Sequence, residues 1–364
     1  MQRISTYNLK PGMIVAQNVY SADGQLMLCA GVALTASYIR RLNQLEIASI
    51  YVKNESLPDI EIPEILREQT RVQTIKNIKK VFENIQVMNK LDVAALQPTI
   101  QTIVSEIVHN RNTMIHLTDI RLYDDYTFAH SVNVCALATM IAVTLGYSQH
   151  RLEELALGAL LHDIGKTLIP LDVLNKPGKL SDEELTIMRS HSEAGFELLR
   201  KSCSEMSVVP MHVAYQHQEK FDGNGYPRGL REHEIHEYAR IVAIADVYDA
   251  LTSDRPYRKA MLPHQAYEIL LASAGSHFDG EILRSFVNHI AVYPVGCTVQ
   301  LNTGDFGVVK SVPEGLPFKP VIYLIANSNK RRFKPGKELE LVNHPTTFIC
   351  KVLDEEEVVD FFNQ

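Results

Sequence analysis

The chain has 364 residues, of which 46% are hydrophobic and 22% charged, with a net charge of −7. That length allows two or three domains of roughly 150 residues, and the balance is that of a globular chain, not a disordered one. The acidic surplus argues against a broad surface for duplex nucleic acid. The five scattered cysteines (Cys29, Cys135, Cys203, Cys297, Cys350) form no CxxC pair, which excludes a zinc ribbon or disulfide frame.

Residues 1–57 read as a small α+β module. Strand-like stretches run from Met13 to Val19 and from Ile47 to Val52, and between them Thr35 caps a short helix with apolar positions at Ile39, Leu42 and Leu45. Residues 61–116 read as packing helices. The first carries a stripe at Ile75, Ile78, Phe82 and Ile85 that suits packing on the chain's own core or the seam of a homodimer. A second runs from Asp92 to Asn110.

The next segment, 117–291, reads as all-helical, with apolar spacing of three to four over Val132–Leu145, Leu152–Leu161, Glu183–Leu199 and Ala239–Leu251. From 293 to 364 the period changes to two, giving strands over Thr298–Leu301, Gly307–Val312 and Val321–Ile325 and a short acidic helix after Asp354. The fold class is therefore mainly α: a helical bundle between a small α+β module and a small β module. No run of ~18 to 20 apolar residues is expected to span a membrane. The N-terminus lacks the layout of a secretory signal, so a cytoplasmic protein is expected.

Among fourteen histidines, four stand apart: His130 in TFAHSVNVC, His162 in LLHDIGK, His191 in MRSHSEAG and His217 in AYQHQEKFDGNGYP. Asp163 and Asp246 lie within apolar helical runs, where a carboxylate costs several kcal/mol unless it is paired or binds a metal. Imidazoles and carboxylates on separate helices of a bundle, without thiolate, suit iron, manganese or zinc.

The ordered set His130, His162-Asp163, Lys166, His191, His217, the Asp222–Pro227 loop and Asp246 resembles the HD-GYP family of metal-dependent phosphohydrolases. The resemblance implies an all-helical HD-type bundle, a set of divalent ions, and hydrolysis of cyclic di-GMP or a related cyclic dinucleotide. It assigns His130, His162, Asp163, His191, His217 and Asp246 to two metals, iron or manganese first and zinc as an alternative, with Asp163 between them. Lys166 would face the scissile phosphate, Gly225 and Tyr226 would admit and stack on the substrate, and Arg255 and Arg258 would clamp its phosphates. Asp249 offers those arginines an ion-pair partner. A hydroxide shared by two ions would attack phosphorus, giving pGpG and, with further cleavage, GMP.

Two departures qualify the resemblance. Gln218 stands where the family places a second histidine, with Glu219, the family's own glutamate, beside it; Tyr126 stands where three-metal members place a glutamate. Two metals are therefore expected, not three. Gln218 also favours an alternative: a degenerate module that binds a cyclic dinucleotide or a diguanylate cyclase and signals without turnover.

Overall fold

A computed structural model of the chain describes residues 1–21, 25–45, 47, 49–53, 60, 63–88, 92–111, 113–115, 126–202, 207–253 and 260–363. It divides into two compact units: Met1–Glu64, Asn112–Asp124 and Asn288–Gln364 form one, and Ile65–Arg111 with Asp125–Val287 the other.

The first unit opens with β1 (Gln2–Ser5), β2 (Val19–Tyr20), β3 (Leu26–Leu28), α1 (Ala36–Gln44) and β4 (Ser49–Val52). Thr35 caps α1, its side chain accepting from Tyr38 N. β1 pairs antiparallel with β4, and β2 with β3, around Leu9, Val15, Leu34, Leu42 and Ile50. The strand expected over Met13–Val19 is not a continuous ladder. Val15 N bonds Val32 O while Ala16 N bonds Tyr51 O, so this segment crosses between two partners instead of following one. β1 itself, four residues with a single buried apolar position, carries no alternation strong enough to announce it.

The helical unit begins with α2 (Glu68–Met88) and α3 (Gln97–His109). Ile75, Ile78 and Phe82 of α2 are buried within this unit, which accounts for the apolar stripe without a dimer seam. α4 (Tyr126–Thr144) and α5 (Gln149–Leu160) follow. α4 corrects one expectation, since Thr127–Thr144 is long and apolar enough to cross a membrane by length and composition. Its residues are 78% buried, and it packs against α2, α3 and α5, so it is apolar all round because it is a core helix.

A tight turn carries His162 and Asp163 into a 3₁₀ segment, Ile164–Leu168, followed by α6 (Leu171–Leu174), α7 (Asp182–Arg189) and α8 (His191–Ser202). The single helix expected over Glu183–Leu199 is thus broken at Ser190. Ser190 Oγ bonds back to Ile187 O at 2.7 Å, and the two pieces have different duties. α7 buries nothing and is closed by a Ser181–Glu184 capping box, whereas α8 buries His191, Ser192, Gly195 and Leu199. The unit closes with α9 (Val208–Gln216), α10 (Glu237–Thr252), α11 (Pro263–Ala272) and α12 (Gly280–Val287).

The remainder of the first unit is a five-stranded antiparallel sheet, in the order β8-β7-β6-β5-β9, and a final helix. Its strands are β5 (Thr298–Leu301), β6 (Phe306–Ser311), β7 (Val321–Ala326), β8 (Arg332–Glu340) and β9 (Ile349–Val352). The helix is α13 (Glu355–Asn363), capped by Asp354, which accepts from Glu357 N. β8 escaped the sequence reading because it is an edge strand of polar residues interrupted by Pro335-Gly336. Val299, Leu301, Val308, Ile322 and Phe361 form the core, against which Ile60, Met1 and Tyr51 also pack.

One glycine fixes the geometry that matters most. Gly165 reads from sequence as a helix terminator, yet α5 ends five residues earlier and Gly165 has no left-handed backbone. A Cβ there would lie 1.9 Å from His191 O and 2.6 Å from Gly195 N, so its absence lets the 162–168 turn and α8 touch backbone to backbone. Gly165→Ala should therefore destabilise the chain by about 1–3 kcal/mol through overpacking. Gly280→Ala, where nothing lies within 4 Å, should change stability by less than about 0.5 kcal/mol. Denaturant unfolding of the two metal-free variants checks the contrast.

Candidate metal centre

The 162–168 turn supplies His162, Asp163 and Lys166; α4 supplies His130; α8 opens on His191; α9 ends into His217; and α10 carries Asp246 and Asp249. Seven of these side chains converge. Asp163 Oδ2 lies 3.3 Å from His162 Nε2, 3.7 Å from His130 Nε2 and 2.5 Å from Lys166 Nζ. Its Oδ1 lies 3.5 Å from His191 Nε2 and 3.6 Å from His217 Nε2. Asp246 Oδ1 is 3.2 Å from His130 Nε2. His130, His162, Asp163, His191 and His217 are all buried.

How the rings are held decides what they can bind. His162 Nδ1 faces Ala159 O at 2.8 Å, His191 Nδ1 faces Met188 O at 2.7 Å and His217 Nδ1 faces Ala214 O at 3.0 Å. A carbonyl oxygen only accepts, so each Nδ1 is the donor and each ring turns its Nε2 inward. His130 obeys the same rule with a carboxylate, donating from Nδ1 to Asp249 Oδ2 at 2.7 Å.

The inward Nε2 atoms meet one another and the carboxylates. His191 Nε2 and His217 Nε2 stand 3.2 Å apart, and His162 Nε2 and Asp163 Oδ1 are buried with no hydrogen-bond partner among the described residues. Nitrogens and carboxylate oxygens crowded in this way suit a cation between them. Three groups place one atom of each residue within 4.8 Å of the others: His130, His162 and Asp163; Asp163, His191 and His217; and His162, His217 and Asp246. The donor set therefore fits divalent ions, and the first two groups share Asp163.

Protonation follows from this crowding. Burial alone would strip His130 of a second proton, but Asp246 and Asp249 outweigh it and raise the pKa to about 10. Burial would likewise raise the Asp163 carboxyl; the Lys166 ammonium and the His162 ring reverse this and hold it well below the usual range. Asp246 is lowered too, against its burial, chiefly by His130. His191 goes the other way: burial depresses its pKa to about 4 despite the pull of Asp163.

Around this cluster the remaining sequence-derived candidates divide. Gln218 Nε2 donates to Asp246 Oδ2 at 3.2 Å, so the amide sits on the cluster as a donor. Glu219 does not join it; its carboxylate accepts from Arg228 N at 2.8 Å and Leu230 N at 3.1 Å, tying down the loop that follows. In that loop Gly223 has φ +84°, while Gly225 is needed for close approach, since a Cβ there would lie 2.2 Å from Lys220 N. The Tyr226 ring stands edge-on to His191, with Arg189 5.4 Å above its centre. Burial, with Asp163 and Asp246 nearby, raises the Tyr226 phenol, which keeps its proton and remains a donor.

Arg255, Arg258 and the side chain of Tyr126 lie outside the described residues. Asp249 was read only as an arginine partner; buried, it accepts from His130, from Asn133 Nδ2 at 2.8 Å and from Ser253 Oγ at 3.2 Å. Its three-residue spacing from Asp246, one helical turn, was the available signal. Arg189 was missed because a lone exposed arginine near a helix end carries no pattern.

A metal ion held by His130 would have to displace the proton that this ring keeps up to about pH 10, whereas His191 is already neutral above about pH 5. The apparent association constant for Mn(II) should accordingly rise with pH, by about tenfold per unit between pH 6 and 9, with proton release. Metal titration of the chelator-stripped chain across that range checks the sign.

Comparison with known proteins places the helical unit's sequence in a family. Residues 103–282 match the HD domain family, and residues 298–361 match a KOW domain associated with HD domains. A cyclic di-GMP phosphodiesterase of Pseudomonas aeruginosa is 38% identical over 232 residues, 64% of this chain and 56% of the relative. A cyclic di-GMP phosphodiesterase response regulator of Xanthomonas campestris pv. campestris is 42% identical over 43% of this chain and 41% of its own length. A 3'3'-cGAMP-specific phosphodiesterase of Vibrio cholerae is 34% identical over 58% and 38%, respectively. The chain spans about half the length of the curated relatives it matches. Among solved structures, an HDG"Y"P protein from Bdellovibrio bacteriovorus aligns with 78% of this chain and 97% of its own, at 21% identity and a TM-score of 0.48. With the HDIGK and DGNGYP motifs set around one cluster of buried imidazoles, the chain belongs to the HD domain family, in its HD-GYP branch.

Proposed function

We propose that this protein is a metal-dependent phosphodiesterase that hydrolyses cyclic di-GMP to pGpG at a two-metal centre. The observation that carries the reading is the convergence of four imidazole Nε2 atoms on Asp163, each ring fixed from behind through its Nδ1. His130, His162 and Asp163 would hold one ion, with Asp246 beside them, and Asp163, His191 and His217 the other. Iron or manganese suits this nitrogen–oxygen set best, and zinc is the alternative. Two such ions supply Lewis acidity, acidifying a water and drawing charge from the phosphoryl oxygens.

The chain's own groups do the rest. Lys166, partly exposed above Asp163, presents an ammonium where charge builds on the phosphate and the leaving oxygen. Tyr226 offers a hydroxyl that stays protonated and a ring backed by the Arg189 cation, suited to a base or a phosphate of an anionic dinucleotide. Arg255 and Arg258 remain the proposed clamp for the second phosphate. Relatives named for cyclic di-GMP and for 3'3'-cGAMP leave guanine on both halves as part of the proposal. A cytoplasmic location is proposed with it, where such a messenger would be met.

One observation favours a second reading. Gln218 occupies Asp246 with an amide donor, which takes up one oxygen of a ligand carboxylate. Under that reading the module binds the dinucleotide or a diguanylate cyclase, as a monomer or homodimer, and does not turn over.

Anaerobic purification, metal analysis and assay on cyclic di-GMP separate the two. The expected outcome is two metals per chain, pGpG as product, and activity reduced to background in Asp163→Ala. Lys166→Met should lower kcat by roughly 10²–10³ with a smaller effect on KM. Three metals per chain would refute the two-metal assignment, and wild-type turnover equal to that of Asp163→Ala would put the signalling module in its place.

A further inference from the structure

The buried polar chain behind His130 does not stop at Asp249. Asn133, one turn along α4 from His130, donates Nδ2 to Asp249 Oδ1 and accepts at its own Oδ1 from Arg71 Nη1 of α2. Arg71 and Asn133 are each only 7% exposed, so a guanidinium and an amide have been taken out of water to make these bonds.

The order of the partners is forced by their chemistry. A primary amide has one donating and one accepting end and, left alone, either can face a neighbour. A guanidinium has donors only. With Arg71 in place, Asn133 must turn its oxygen to Arg71 and its NH₂ to Asp249; reversed, two oxygens would face each other. Asp249 Oδ1 is thereby engaged, and Oδ2 is left to take the Nδ1 proton of His130, which turns Nε2 into the cluster.

We propose that Arg71 is a positioning residue for the His130 imidazole, acting through Asn133 and Asp249. Helix α2, which precedes the residues matched to the HD domain, thus belongs to the machinery of the centre. The inference rests on the metal-centre reading above and adds a residue that contacts no ligand of the metals directly.

The test is Mn(II) titration of the metal-free full chain, with melting temperature as a fold control, for Arg71→Met, Arg71→Lys, Asn133→Ala and the double variant Arg71→Met/Asn133→Ala. Arg71→Met and Asn133→Ala should each weaken Mn(II) binding about 10- to 100-fold, the usual effect of freeing a ligand's orienting partner. Because the two act in series, the double variant should lose no more than the weaker-binding single one. Arg71→Lys, which keeps a cationic donor, should recover part of the loss. If Arg71→Met fails to fold, the position of Arg71→Lys between wild type and Asn133→Ala decides the question. Wild-type affinity in a folded Arg71→Met chain, wild-type affinity in Asn133→Ala, or losses that multiply in the double variant would overturn the proposal. Wild-type protein that binds Mn(II) no better than His162→Ala would instead remove the metal centre, and this inference with it.

Discussion

Three carboxylates lie in or beside the apolar heart of a helical bundle, and the arrangement around them answers that constraint. Taking a carboxylate out of water costs several kcal/mol, and the cost is offset only by full pairing. Asp249 is saturated by three donors: the His130 ring, the Asn133 amide and the Ser253 hydroxyl. Asp163 has one ammonium, from Lys166, and otherwise faces lone pairs of imidazole nitrogen. Asp246 has His130 on one oxygen and Gln218 on the other. The deficit of positive charge is thus concentrated at the middle of the cluster, between Asp163 and the inward faces of the rings. Against the effect of its burial, His130 keeps its second proton because Asp246 and Asp249 both face the ring.

The same constraint shapes the packing of helices. α4 and α10 are both largely apolar, and two such helices can slide past each other with little penalty. Here each carries a polar pair one turn apart, His130 with Asn133 and Asp246 with Asp249, and the pairs interlock. A one-turn slip would leave buried carboxylates and an amide without partners, so this seam sets the register of the two helices. On the other side of Asp163, register is set sterically. Gly165 and Gly195 let the 162–168 turn and α8 meet backbone to backbone, which brings His191 within reach of Asp163.

Legibility from sequence followed from how locally each role is encoded. His162-Asp163, Lys166 and the DGNGYP loop are contiguous signatures, and His130, His191, His217 and Asp246 stand out as ionisable residues in apolar helices. Asp249 was visible only as an ion-pair partner for Arg255 and Arg258, because its partners His130 and Asn133 lie 119 and 116 residues away. Arg71 and Asn133 could not be found: each is one polar residue among others on its helix, and its partner lies 62 residues away. The fold showed the same division. Long periodic helices and the first three strands of the sheet were readable, whereas β1, β8 and the crossing at Val15–Ala16 depend on partners distant in the chain.

Gln218 is where the local chemistry departs furthest from the pattern the chain resembles. An imidazole at that place would bring another nitrogen lone pair to the cluster and could take up a proton or a metal. The amide brings an N–H donor, already committed to Asp246 Oδ2. This lowers the electron-donor capacity of the group made by His162, His217 and Asp246 while leaving the groups His130–His162–Asp163 and Asp163–His191–His217 intact. It also fixes Asp246, whose other oxygen is then turned to His130. The exchange therefore adds a donor beside one group of acceptors and holds the Asp246 carboxylate in place. The groups His130–His162–Asp163 and Asp163–His191–His217 share Asp163 and keep all their donor atoms.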